Sequence, residues 1–163
     1  MANADSAYGF KYKHRLSGAP CPPLHDVLLG TSAAFAKGDP MNWNAAGYLD
    51  ILSTVTASPA YIAAQDVPST VTVGTTKARM LPILPDMVFQ VQCSGTPTRA
   101  TYMGGVVDIE GSTGVYECNE NASTNDTLRI IGYADVTGQT DEGANAQVLV
   151  VFNKTCFGTG LSA

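Results

Sequence analysis

Charge, histidine and long apolar runs are what this chain of 163 residues has least of. Charged side chains make up 14% of it, against about a quarter in ordinary soluble domains. A surface so poor in charge is expected to be partly covered by neighbours. The two histidines, His14 and His25, both lie near the N-terminus, which leaves any nucleophile in the rest of the chain without a nearby imidazole base. Cys21 and His25 form the one close pair, but a dyad needs an orienting third group and a rigid pocket, so a solvated junction is expected there. No run approaches the roughly 18 apolar residues of a spanning helix, and the N-terminus lacks the apolar stretch of a secretory signal. No membrane partner is expected, and synthesis in a reducing cytosol is. The four cysteines (Cys21, Cys93, Cys118, Cys156) are scattered, without a C-x-x-C pair, so neither zinc nor any other metal or cofactor is expected. Free buried thiols are the expectation, with a Cys93–Cys118 disulfide as the alternative.

What the chain does have is short alternating segments cut by turn residues. LHDVLLG (24–30) is β-like, and Pro40, lacking a backbone donor, suits the start or edge of a strand. Asn44 to Gly47 supply a turn that Trp43 and Tyr48 flank. Pro82 and Pro85 exclude a helix from the apolar KARMLPILP and mark an edge or a crossing between sheets. Met87, Phe89, Val91 and Cys93 then fall on one face of a strand, with Val88, Gln90 and Gln92 on the other. Residues 101–118 read as strand, turn and strand, TLRIIGYADV as a further strand, and AQVLVVFN as the strongest of all. No dozen residues carry helical periodicity.

Two stretches of the chain resemble each other. GDPMNWNAAGYLD (38–50) matches GGVVDIEGSTGVYE (104–117) as hairpin to hairpin, YIAAQDV (61–67) matches IIGYADV (130–136), and KARMLPILP (77–85) matches NAQVLVVFN (145–153), at offsets of 66 to 69 residues. Duplication and chance similarity of short β segments both account for this. The expected fold is all-β, a small barrel or sandwich of about eight strands with two similar halves if the repeat is real. Its expected boundaries are an extended arm over residues 1–23, a β-domain over 24–153 and a tail over 154–163.

Chemistry-bearing clusters are sparse. Asp108 and Glu110 share a strand face and could form an acid–base pair or hold Ca²⁺, but no further ligand adjoins them and a solvated face is expected. Gly104 and Gly105 lack the Lys-Ser/Thr of a phosphate loop. No enzyme is expected. Eight acids follow residue 100 against Arg129 and Lys154, so the body is no nucleic-acid partner. The bases gather instead in the first residues, as Lys11, Lys13 and Arg15 beside His14, interleaved with Tyr8, Phe10 and Tyr12. Without the makings of a core of its own, this arm is expected to stay loose or to be ordered by lying on a partner, with packing back on its own body as the alternative.

The opening ANAD (2–5), Gly-Phe-Lys (9–11), His-Arg-Leu-Ser-Gly (14–18), Gly-Asp-Pro (38–40), LRIIG (128–132) and GANAQVLVVFN (143–153) resemble the small structural proteins of tailed bacteriophages. The run Lys13-His14-Arg15 and the added Cys21-Pro22-Pro23 depart from that pattern. The resemblance implies a capsid decoration or cement protein, made in the host cytoplasm and carried on the exterior of the virion. Its implied partners are the major capsid protein and further copies of itself, as a dimer or trimer. Tyr8, Phe10, Lys11, Tyr12, Lys13, Arg15 and Leu16 are the arm residues expected to make these contacts. The alternative is a carbohydrate-binding β-sandwich in which Trp43, Tyr48 and Tyr61 or Tyr102 stack on sugars.

Overall fold

Proline, glycine and polar turns cut this chain into pieces too short for helices, and the alternation within each piece decides which side chains face inward. The structure, a computed structural model, describes residues 3, 5, 7–30, 34–52, 58–102, 104–136, 140, 142–155 and 158–159. Among them are β1 (Lys11–Arg15), β2 (His25–Leu28), β3 (Pro40–Trp43), β4 (Leu49–Ile51), β5 (Tyr61–Ala63), β6 (Lys77–Pro82) and β7 (Met87–Gln92). One helical turn, α1 (Arg99–Tyr102), precedes β8 (Val106–Glu110), β9 (Glu117–Asn119), β10 (Leu128–Tyr133), β11 (Gln147–Phe152), β12 (Lys154–Thr155) and β13 (Gly158–Thr159).

The fold is all-β and sandwich-like, without a closed barrel. A five-stranded antiparallel sheet runs in the order β2-β6-β5-β3-β4, and a six-stranded one in the order β1-β7-β11-β10-β8-β9. Removing β1 leaves two sheets of the same topology, with β2 to β6 corresponding in turn to β7 to β11. The resemblance read in the sequence is therefore a repeat of topology. It extends to a detail: each sheet curls until the residue following its first strand meets its third strand in one isolated parallel bridge, Leu29 with Leu49 and Cys93 with Cys118. The next amide donates across each bridge, Gly30 N to Leu49 O at 2.9 Å and Ser94 N to Cys118 O at 3.0 Å.

The five-stranded sheet buries both faces. Met41, Leu49, Tyr61, Ala63 and Met80 point into its own curl. Their neighbours Ile62 and Leu81 point the other way, into the core lined by Phe89, Val91, Ile109, Leu128, Ile130, Val150 and Phe152 of the second sheet. Among the hydrogen bonds that tie the halves, Tyr116 donates its hydroxyl to Leu52 O at 2.8 Å, and Gly114 N donates to Asp39 at 2.8 Å. The prolines mark the crossing as expected, since β6 ends at Pro82 and β7 opens the second sheet at Met87.

Four expectations need correction. Among the described residues thirteen strands are present where about eight were expected; the unexpected ones include β1, in a stretch read as an arm, and the two-residue β12 and β13, too short to show a period. Residues 99–102, expected to divide between a loop and a strand, form the turn α1, which ends ahead of Gly104 at φ 83°. The tail is not without elements, as β12 and β13 pair. Most consequentially, the first residues are not a separate arm. Lys11–Arg15 is the edge strand of the larger sheet, registered on β7 with Lys11 opposite Gln90 and Arg15 opposite Met87.

Candidate interaction site

The N-terminal stretch is held along its length by groups that its sequence did not advertise. Asn3 accepts at its side-chain oxygen from Thr140 N (2.7 Å) and donates to Thr140 O (3.2 Å). Asp5 accepts from Gln92 Nε2 at 2.9 Å. Tyr8 donates its hydroxyl to Gln147 Oε1 (3.0 Å) and accepts from Gln90 Nε2 (2.9 Å), while burial pushes its pKa above the ordinary value of 10.0. Gln90, Gln92 and Gln147 are all buried. An unpaired amide there would cost about 1–3 kcal/mol, so the glutamine row is tolerable because Asp5, Tyr8 and Glu117 bond it. Two amides on one face of an apolar strand were the signal that could have been read from sequence.

Past Tyr8 the chain leaves that face by a close approach. Gly9 and Gly38 have φ of 72° and 98°, and a Cβ on Gly9 would sit 2.5 Å from Gly38 O. Phe10 N donates to that same oxygen at 2.8 Å. The Phe10 ring then enters the second core, 5.0 Å from Phe152 and 6.5 Å from Phe89 between centroids. At 2% exposure Phe10 is a core residue and not a contact available to a partner, a correction whose cause is the apolar gap it fills. Such burial stabilises by about 1.5–3 kcal/mol.

The other expected contact residues divide. Arg15 places Nε 2.9 and 3.0 Å from the two Asp86 oxygens, with a further contact from Nη2 at 2.9 Å. Ser17 also donates to that carboxylate. The Arg15 guanidinium is the main cause that holds Asp86 below the ordinary 3.8. Tyr12 packs edge-on against Phe89 at 6.0 Å and is half-buried. Lys11 and Lys13 remain exposed, Lys11 over the Tyr8 ring at 5.9 Å and Lys13 donating to Gln90 Oε1 at 3.0 Å. Leu16 keeps 46% of its surface. The ladder is irregular between Tyr12 and His14, a bulge that, with the two lysines, blunts this edge against indiscriminate pairing.

Beside the strand lies a groove of about 500 Å³ between Phe10, Tyr12 and Leu24 on one side and Ile62, Ala63 and Leu81 on the other, with Lys11 and Lys37 among its lining residues. No family model, curated protein or solved structure matches the chain. Its own geometry therefore has to carry the functional reading.

A second, shallower depression of about 470 Å³ lies at the mouth of the first curl, lined by His25, Asp26, Trp43, Tyr61 and Lys77 among others. Trp43, 40% exposed, stands edge-on to Tyr61 at 5.8 Å, and His25 meets Tyr61 from the other side at 5.8 Å. Tyr48, half-buried, does not line this depression, and the Tyr102 side chain, Asp141 and Cys156 lie outside the described residues. Cys21 is exposed. The paired carboxylates separate in role: Asp108, expected on a solvated face, is buried and accepts from Asn125 N (3.0 Å) and Nδ2 (3.1 Å), latching the loop before β10. Glu110 accepts from Asn119. Among the described residues no three His, Cys, Asp or Glu side chains gather as metal ligands.

Proposed function

We propose that this chain is a non-enzymatic structural protein of a bacteriophage particle, attached to the outer surface of the capsid as a homo-oligomer and reinforcing or decorating it. The observation that carries the reading is the placement of the N-terminal strand. A segment that carries phage-like motifs forms an edge strand of the larger sheet, presenting Lys11, Lys13 and His14, with Leu16 just past its end, beside an apolar groove. Basic groups around an apolar trough suit an acidic, partly apolar segment of a neighbouring capsid protein or sister subunit. A lattice repeats that contact many times, so each one can be weak. The acidic balance of the chain beyond residue 100 supports protein and not nucleic acid as the partner.

Removing the strand would also remove Phe10 from the core, so the test keeps the backbone. K11E combined with K13E is mixed with undecorated shells and co-sedimented beside the unaltered protein. We expect at least a tenfold loss of binding, and weaker binding of the unaltered protein as salt rises. Equal binding of both would remove the strand from the mechanism, and no binding of either would remove the capsid.

A second reading has one observation in its favour, the exposure of Trp43 over Tyr61 and His25. A sugar face could stack there. Trp43 is the single tryptophan of the chain, so its fluorescence reports on that depression alone. A saturable change on titration with oligosaccharides, lost in Tyr61→Ala, would favour this reading over the capsid one.

A further inference from the structure

The parallel bridge that closes each curl is made by different chemistry in the two halves. In the first it is Leu29 against Leu49, and in the second Cys93 against Cys118. All four are buried with no exposed surface. The two sulfurs lie 2.9 Å apart, closer than unbonded sulfur atoms ordinarily pack. Bridge partners on adjacent strands are separated by the ~4.7–4.9 Å inter-strand spacing, inside the ~4.4–6.8 Å range of Cα separations that a disulfide requires. With the sulfurs already facing each other across the bridge, the bond asks for a short approach of the two side chains.

We propose that Cys93 and Cys118 are a redox-closed staple, reduced when the chain folds and joined as a disulfide in oxidising surroundings, where the bond locks β9 against the end of β7. The oxidant is a small disulfide such as oxidised glutathione. One thiolate attacks a sulfur of the oxidant and expels one glutathione thiolate. The second thiolate then attacks the resulting mixed disulfide at the protein sulfur and expels the other. Two protons leave the protein and two electrons reduce the oxidant to two thiols.

Position controls the rate. The Cys93 contact and burial hold the Cys118 thiol well above its ordinary pKa of 9.0, so the closed fold presents little thiolate. Reaction waits for local opening. β9 is the place where such opening is cheap, being three residues long and the last strand of its sheet. The bond closes a loop containing α1, β8 and the β8–β9 hairpin, and so restrains the segment that the first half closes with leucines alone. The inference is independent of the capsid reading, although a particle that leaves a reducing cytosol would meet the change of surroundings that sets the staple.

The test incubates the full chain with oxidised glutathione, with and without a sub-denaturing concentration of urea. Tryptic cleavage after Arg79, Arg99 and Arg129 puts Cys93 in peptide 80–99 and Cys118 in peptide 100–129. We expect these two peptides to appear joined and two hydrogens lighter than their sum, faster with urea than without. We also expect a melting midpoint roughly 10 °C above that of the reduced protein. Cys118→Ala should fold and show neither the joined peptide nor the rise. Should that variant fail to fold, the unaltered protein oxidised and then reduced gives the same comparison. Free thiols at both positions after complete oxidation, or joining to Cys21 or Cys156 instead, would overturn the proposal.

Discussion

The two halves share a strand order and differ in how they are finished. In the second, the N-terminal segment lays β1 along β7, places Phe10 among Phe89 and Phe152, and roofs the row Gln90, Gln92 and Gln147. In the first, the corresponding strand β2 ends its sheet with no further strand beside it among the described residues. The mouth of that curl is left to Trp43, His25 and Tyr61. One topology thus yields a sealed half that supplies most of the cooperative core and an open half that supplies surface. The N-terminal residues make the difference, and most of their side-chain bonds go to their own body.

The strongest way to break this comparison is to remove residues 1–16. That strips an entire strand, the Phe10 ring and the bonds from Asp5, Tyr8 and Lys13 to the glutamine row, a loss comparable to the ~5–15 kcal/mol that holds a domain together. Soluble folded protein should be absent by circular dichroism and size-exclusion chromatography. A truncated chain that melts at the parental temperature would show the second half to be complete without its N-terminal cover.

A milder comparison sets Phe152→Ala against Trp43→Ala. Phe152 is wholly buried among rings, and its loss should cost about 3–5 kcal/mol in urea unfolding. Trp43 stands at an open mouth, and its truncation should cost about 1 kcal/mol or less. Equal costs would mean that the mouth of the first curl is core after all.

Much of this asymmetry was legible in the sequence, in parts. The hairpin around Asn44 to Gly47 was readable because Asn44 Oδ1 accepts from Ala46 N and Tyr48 N, a local bond that the residue type announces. The repeat was readable because hairpin, strand and strand recur with the same apolar spacing. The place of Lys11–Arg15 was not. Its pairing partner lies some 75 residues away in sequence, and its pattern, KYKHR, alternates weakly because its lysines reach outward and its Tyr12 lies half across Phe89. The burial of Asp108 is hidden from the sequence for a related reason: its partner Asn125 sits in a polar loop whose position is set by the sheet and not by local sequence. The groove beside β1 is formed by residues from the N-terminal segment, β5 and β6, a juxtaposition that no single stretch encodes.

The smallest effect distinguishes the two halves by acid. Asp39 of the first half is buried and accepts from Ala36 N and, across the interface, from Gly114 N, at 2.8 Å each. Burial outweighs those two bonds and raises its pKa above the ordinary 3.8. Asp86, which anchors β1 through Arg15, is lowered below 3.8. A raised carboxyl binds its proton more tightly in the folded state, so its contribution to stability is largest below 3.8 and is lost as pH climbs through the folded value. A lowered one contributes above 3.8 and loses that contribution as pH falls through its folded value. Acid should therefore release the end of β1 while it relieves the charge buried between the halves. Carboxyl carbon shifts followed by NMR should titrate on opposite sides of 3.8, Asp39 above and Asp86 below. In parallel, Asp86→Asn should cost about 0.5–1 kcal/mol at neutral pH, as expected for a pair that solvent still reaches, and nothing once the pH is below the folded Asp86 value. A cost that persists in acid would mean that Asp86 holds β1 by its shape and backbone bonds, with Leu16 N to Asp86 O at 2.8 Å the foremost of them, and that the charge of Arg15 is free for a partner.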